Sequence, residues 1–220
     1  MEVNKKETLR YLGYKGQVID DDLLCLIDEA SEELLQSINP KSVHQEFSCR
    51  ILDDFTVELG PIIIKSKNLV KNLKGCDSAI IFAATLGSSA DTLMKRYSIT
   101  NLAKASVIQA AGAALIETFC DSLEEKIQID ANKRGLFLRP RFSPGYGDLS
   151  LEHQRDFFNI LECSKRIGIS LTDTCLMIPS KSVTAIIGLS KNRNKGCNEN
   201  KCLSCTKVTC EYRTNDETNA

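Results

Sequence analysis

Arg139-Pro140-Arg141-Phe142-Ser143-Pro144-Gly145-Tyr146-Gly147-Asp148 concentrates two prolines, two glycines, two arginines and a tyrosine in ten residues. It lies between Leu136-Phe137-Leu138, which reads as a short strand, and a helix that Ser150 opens. Pro144 has no N–H to donate and biases Ser143 towards an extended backbone. Gly145 and Gly147 can take positive φ or let a ligand approach the main chain. The loop therefore offers backbone polar groups, an aromatic face at Tyr146 and a fixed positive charge at Arg141. That set suits a flat heterocycle carrying a carboxylate, with the guanidinium gripping the carboxylate as a fork. The same punctuation also serves a plain tight connection, and the residues alone leave both readings open.

Downstream, Leu151, Phe157, Phe158, Ile160 and Leu161 carry the helical spacing of a single helix that Gly168 ends. Strands over residues 174–178 and 183–189 then flank a turn at Pro179-Ser180-Lys181. Upstream, residues 101–128 predict the longest helix of the chain. Its first half is rich in small residues (Ala103, Ala105, Ala110, Ala111, Gly112, Ala113, Ala114), so neighbours can pack closely. Glu117 interrupts this apolar stretch. A carboxylate there either has a partner or faces a cleft, because burying it alone is costly, or it lies partly exposed on the surface.

Further back, Ser78 to Ala84 is an apolar run with the length of a buried strand, and it feeds Thr85-Leu86-Gly87-Ser88-Ser89 and a helix near residues 91–97. A strand, glycine loop and helix start can hold an anion, but the spacing is no dinucleotide or P-loop fingerprint, and an ordinary turn is the simpler reading. Ser66 is placed to cap a short helix through Leu69, Val70 and Leu73, ended by Gly75. The alternation of Phe47, Cys49, Ile51 and of Phe55, Val57, Leu59 predicts a hairpin across Asp53-Asp54. Leu23, Ile27, Ala30, Leu34 and Ile38 predict a helix opened by the acidic residues 20–22 and stopped by Asn39-Pro40. Residues 7–18 read as an irregular entry. Short antiparallel strands with separate helices give an α+β class, with helices packed around a twisted antiparallel sheet.

A chain of 220 residues with 42% hydrophobic and 26% charged residues can bury a sizeable core. Net charge −1 argues against nucleic-acid binding through phosphate neutralisation. No signal peptide and no membrane-length apolar run stand out, which gives a cytoplasmic expectation with no membrane partner. Six of the ten cysteines (Cys25, Cys49, Cys76, Cys120, Cys163, Cys175) are dispersed among patterned segments, as small buried hydrophobes are. From Lys191 the composition turns basic and poor in large apolar residues, and Cys197, Cys202, Cys205 and Cys210 crowd together. Four thiolates at this spacing satisfy tetrahedral zinc or an iron–sulfur cluster, and redox-active thiols remain a third reading. The chain thus divides into an N-terminal helix and hairpin lobe (1–60), a central domain (61–190) and a Cys-rich basic tail (191–220). His44 and His153 lie in no catalytic motif.

The loop also carries a resemblance. Arg141-Phe142-Ser143-Pro144-Gly145-Tyr146 is similar to the Arg-Pro-Ala-Pro-Gly-Tyr motif of the activation domain of cobalamin-dependent methionine synthase, with Phe142 and Ser143 in place of Pro and Ala. Leu115-Ile116-Glu117-Thr118-Phe119 resembles the helix segment Leu-Ala-Glu-Ala-Phe of that domain. Gly168 to Thr174, Met177-Ile178-Pro179 and Ser182-Val183 resemble its run Gly-Met-Lys-Leu-Thr-Glu-Ser, Met-Trp-Pro and Ser-Val. The order and approximate spacing agree over residues 76–190.

This resemblance implies a central domain that binds S-adenosylmethionine as methyl donor for the reductive remethylation of cob(II)alamin. Arg141 would meet the methionine carboxylate, Ser143 the adenosine and Glu117 the cationic end, while Gly145 would permit close approach and Tyr146 line the pocket. The chain carries no cobalamin motif. The resemblance therefore implies a stand-alone subunit acting with a cobalamin-binding methionine synthase partner and an electron donor such as flavodoxin or ferredoxin. Two alternatives stay open: an interaction protein of the same fold with a metal-binding tail, and a reductive activator of another corrinoid methyltransferase.

Overall fold

The computed structural model describes residues 1–192. Its centre is a six-stranded sheet in the order β3-β2-β1-β4-β8-β5, formed by β1 (Lys41–Ile51), β2 (Thr56–Leu59), β3 (Ile62–Lys65), β4 (Ser78–Thr85), β5 (Phe137–Leu138) and β8 (Ser182–Ser190). All neighbouring pairs are antiparallel. A separate two-stranded ribbon joins β6 (Ser170–Leu171) to β7 (Met177–Ile178). Seven helices, α1 to α7, accompany these strands among the described residues.

β4 shows why the sheet reads as it does. Ile80, Phe82 and Ala84 point to one core and Ala79, Ile81 and Ala83 to another, so both faces of the strand are covered. A strand buried on both sides reads as a continuous apolar run, not an alternating one. The first core is closed by α2 (Asp21–Ser37), α4 (Ser89–Thr100) and α5 (Leu102–Lys133), through residues such as Ile27, Leu34, Leu93, Ile108 and Leu115. The second is closed by α3 (Lys67–Leu73), α6 (His153–Leu161) and α7 (Cys163–Ile167), through Leu69, Leu73, Phe157, Leu161 and Ile167. The α+β class and the arrangement of helices around an antiparallel sheet are as the sequence implies.

Local chemistry sets several boundaries. The side chains of Asp20, Ser66 and Asn101 accept from the third residue of α2, α3 and α5 respectively, satisfying an orphan N–H at each helix start. Three expectations are corrected. The entry is not wholly irregular, since α1 (Lys5–Tyr11) forms under an Asn4 cap and packs on α5. The helix after the loop is two helices, broken where Glu162 adopts φ 51°. Of the six dispersed cysteines, Cys25 is exposed while the other five are buried. Gly60-Pro61 forms the turn between β2 and β3, so the division at residue 60 runs between adjacent strands of one sheet. On its other side β1 pairs with β4 over eight residues, from Lys41↔Thr85 to Ser48↔Ser78.

By length and composition α5 would be able to cross a membrane. Here its apolar face lies on the sheet and on α1, α2 and α4, as a core helix does.

Candidate functional site

The loop from Arg139 to Asp148 is fastened at both ends. Arg139 N–H donates to Gly188 O (2.8 Å), and Phe142 and Ile186 exchange backbone hydrogen bonds of 2.9 Å each way. At the far end the Asp148 carboxylate accepts from the Ser66 hydroxyl and from the Lys67 and Asn68 N–H groups at 2.7 and 3.1 Å, at the start of α3. The Ser66 hydroxyl and those N–H groups hold the Asp148 pKa below the usual carboxylate range against the opposing effect of burial. Between the anchors Gly145 adopts φ +91°, a conformation that favours glycine. Its N–H donates to Leu149 O (2.8 Å), and Tyr146 N–H donates to Ser143 O (3.2 Å). Pro144 is buried beneath this turn, while the Tyr146 side chain stands 69% exposed.

Phe142 faces the second core, so its neighbour Arg141 projects the other way, onto α5. There its guanidinium meets Asp121 at 2.7 Å, Glu117 at 3.3 Å and, through Nε, Glu124 at 3.3 Å. Positions 117, 121 and 124 lie four and three residues apart, which puts three carboxylates on one helix face. The Arg141 side chain is 13% exposed, whereas Glu117 and Asp121 are at least half exposed. Burial acts to lower the arginine pKa, but Glu124, Asp121 and Glu117 outweigh it and raise the value. The adjacent Cys120 thiol is pushed up to about 12 by burial, so it is an inert packing group.

A cleft of about 590 Å³ opens between α1, α4 and α5, lined by Tyr11, Met94, Leu102, Gln109, Ala110 and Ala113 among others. Ala113 is one turn before Glu117 on α5, but none of Glu117, Asp121, Glu124 or Arg141 lines this cleft. The Tyr11 pKa is raised, first by burial and then by the charge of Glu117.

The structure thus joins Glu117 to Arg141 and keeps Ser143, Gly145 and Tyr146 in the same loop. Asp121 and Glu124 were missed from the sequence; their spacing from Glu117 is the signal that marks them. At the start of α4 the Asp91 carboxylate accepts from Ser180 N–H at 2.8 Å and from the Ser180 hydroxyl. Cys197, Cys202, Cys205 and Cys210 lie outside the described residues. Among the described residues no group of His, Cys, Asp or Glu side chains is arranged to hold a metal ion.

An antiparallel sheet covered by helices on both faces, with an anchored proline–glycine loop that lays an arginine on the long helix, defines an α+β domain. The chain belongs to the family described as vitamin B12 dependent methionine synthase, activation domain, whose model matches residues 19–195. That match begins in the N-terminal segment and crosses residue 60. In fold the chain is similar to the MetH reactivation domain, crystallised bound to AdoHcy, with a TM-score of 0.60 and 18% identity. The superposition covers 79% of this chain and 65% of that one, so this chain spans a little under two thirds of its structural relative. No curated protein matches the chain.

Proposed function

We propose that the protein binds S-adenosylmethionine between the Arg139–Asp148 loop and α5, and serves as the reactivation subunit of a cobalamin-dependent methionine synthase. The observation that carries this reading is the contact of Arg141 with Glu117, which unites two separate motifs of the family at one place. The fold relative was crystallised with S-adenosylhomocysteine, the demethylated form of the proposed ligand, and this adds support.

Cobalamin on the partner supplies the metal centre that accepts the methyl group. The residues of this chain have a simpler task, which is to bind and orient the methyl donor. Glu117, Asp121 and Glu124 set a negative field suited to a sulfonium and an ammonium group. Arg141 holds the three carboxylates together, and the backbone of Ser143 and Gly145 with the ring of Tyr146 forms the wall for the adenosine. The four tail cysteines provide a donor set for zinc or an iron–sulfur cluster, and in the latter case a route for an electron from a flavodoxin or ferredoxin. The setting we propose is the cytoplasm.

Calorimetric titration of the purified chain with S-adenosylmethionine tests the binding step; no heat and no thermal stabilisation at millimolar ligand would remove it. Mixing the protein with a cob(II)alamin-loaded partner, a reductant and S-adenosylmethionine should yield methylcobalamin. The visible spectrum of anaerobically purified protein decides the tail, since absorbance near ~400 nm marks an iron–sulfur cluster. One observation favours a second reading, in which the fold is kept for protein interaction and the ligand is lost: the charge of Arg141 is already met by three carboxylates. The same titration separates the two.

A further inference from the structure

The first turn of α3 has its donors satisfied in two ways, one local and one from the far end of the ligand loop. Val70 N–H donates to Ser66 O at 3.0 Å, and Leu69 N–H donates to the Ser66 hydroxyl at 3.0 Å. Lys67 and Asn68 N–H are left over, as the first N–H groups of a helix are. Both donate to the carboxylate of Asp148, which lies 80 residues beyond Asn68 in the chain. The Ser66 hydroxyl donates to the same carboxylate. Asp148 thus completes a cap that Ser66 only begins.

Two further contacts seat the loop on α3. Asn72 Nδ2 donates to Pro140 O at 3.2 Å. Gly147 lies so close to Asn68 that a Cβ at position 147 would collide with Asn68 Nδ2. The back of the loop therefore rests on α3 at Pro140, Gly147 and Asp148, while Arg139 and Phe142 tie its entry to β8.

The front of the loop has no such support. Tyr146 is 69% exposed. The backbone bonds of this stretch close on themselves: Gly145 N–H to Leu149 O, Tyr146 N–H to Ser143 O and Leu149 N–H to Tyr146 O. A turn closed on itself is placed by its attachments. Leu149 is buried in the second core and sets the depth of the turn, but apolar burial is non-directional. The carboxylate with its three donors is directional, so it fixes which way residues 145–147 face.

We propose that Asp148 is a positioning residue for the ligand: by capping α3 it holds Gly145 and Tyr146, before the ligand arrives, in the shape that the adenosine wall requires. This inference rests on the reading that the chain binds S-adenosylmethionine between this loop and α5. Asp148 itself touches no ligand in this scheme and acts through the backbone of residues 145–147. A loop already in its bound form leaves less ordering to be done on binding. A loop that is competent only part of the time weakens the apparent affinity by that fraction.

The test uses the full chain and S-adenosylmethionine, read by calorimetry and by amide hydrogen exchange. Asp148→Ala should weaken affinity about two- to tenfold, the range for ordering one side chain on binding. Asp148→Asn, which keeps one carbonyl oxygen for the N–H groups of α3, should recover part of that loss. It also carries the comparison with wild type if the alanine variant does not fold. In the free chain, exchange at the Gly145, Tyr146 and Leu149 amides should quicken in Asp148→Ala by a larger factor than at β4 and β8, and S-adenosylmethionine should slow it again. Asp20→Ala is the control, since it removes a cap of the same kind from α2, on the other face of the sheet. It should leave affinity and loop exchange as in wild type. Unchanged affinity in both Asp148 variants, or an equal loss in Asp20→Ala, would overturn the assignment while leaving the S-adenosylmethionine reading in place. No binding by the wild type would overturn that reading, and this inference with it.

Discussion

Arg141 holds together three carboxylates that would otherwise repel one another on a single face of α5, at 2.7 to 3.3 Å from its nitrogens. Its replacement by glutamine should lower stability by about 2 kcal/mol, between the values for exposed and for buried ion pairs. In an Asp121→Asn, Glu124→Gln background the same replacement should cost much less, because two of the three repelling charges are gone. Urea denaturation of the four proteins checks this; an Arg141→Gln chain as stable as wild type would mean that the cluster does nothing for the fold. Part of this site was legible in the sequence. The loop motif and Glu117 drew attention to each other through the family resemblance, and Asp121 and Glu124 could have been found by counting along the helix. The contact of Lys181 with Gly112 of α5 was hidden, because only the fold brings the two together. The preference of Arg141 for its own acids was equally hidden: a motif specifies a residue type, not the charges that surround it.

Elements whose ends are fixed by local chemistry were the readable ones. Asp20, Ser66 and Asn101 cap their helices with their own side chains, and a cap depends on three neighbouring residues only. The break between α6 and α7 escaped notice because Glu162 in a left-handed conformation has no sequence signal of the kind a glycine gives. α1 is seven residues long and forms against α5, so its stability is tertiary. Packing between elements also explains a predicted response to pH. Glu33 of α2 is bonded to Tyr97 and Arg96 of α4 and pairs with Lys104 of α5 at 3.0 Å. Burial acts to raise its pKa, but the Tyr97 hydroxyl, Lys104 and Arg96 together bring it below the ordinary value. A carboxylate whose folded pKa is depressed stabilises the protein above its unfolded pKa, near ~4.3, and loses that contribution as pH falls through the folded value. Glu33→Gln should therefore be less stable than wild type at pH 7 and should approach it at pH 3. Urea midpoints for both proteins at pH 7, 4 and 3 give the comparison, and a gap that does not narrow would exclude the linkage.

At the scale of the whole molecule the question is whether the first sixty residues stand apart. β4 is the strand that decides it. On one side it pairs with β1 over eight residues and on the other with β8 over eight, from Ser78↔Leu189 to Thr85↔Ser182. Ile27, Ala30 and Leu34 of α2 are fully buried in the same core as Phe82, Leu115 and Ile187. A chain beginning at residue 61 would therefore expose one edge of β4 and uncover the apolar faces that α2 shields. An unpaired hydrophobic edge of this length invites association with other chains. The intact protein should then unfold in a single transition, coincident by far-ultraviolet circular dichroism and tyrosine fluorescence, with β4 and β8 amides among the slowest to exchange. The fragment 61–220 should fail to give a dispersed amide spectrum and should aggregate as its concentration rises. If instead that fragment folds alone and binds S-adenosylmethionine as the full chain does, then the pairing of β1 with β4 joins two independent units, and the boundary at Gly60-Pro61 is a true domain boundary.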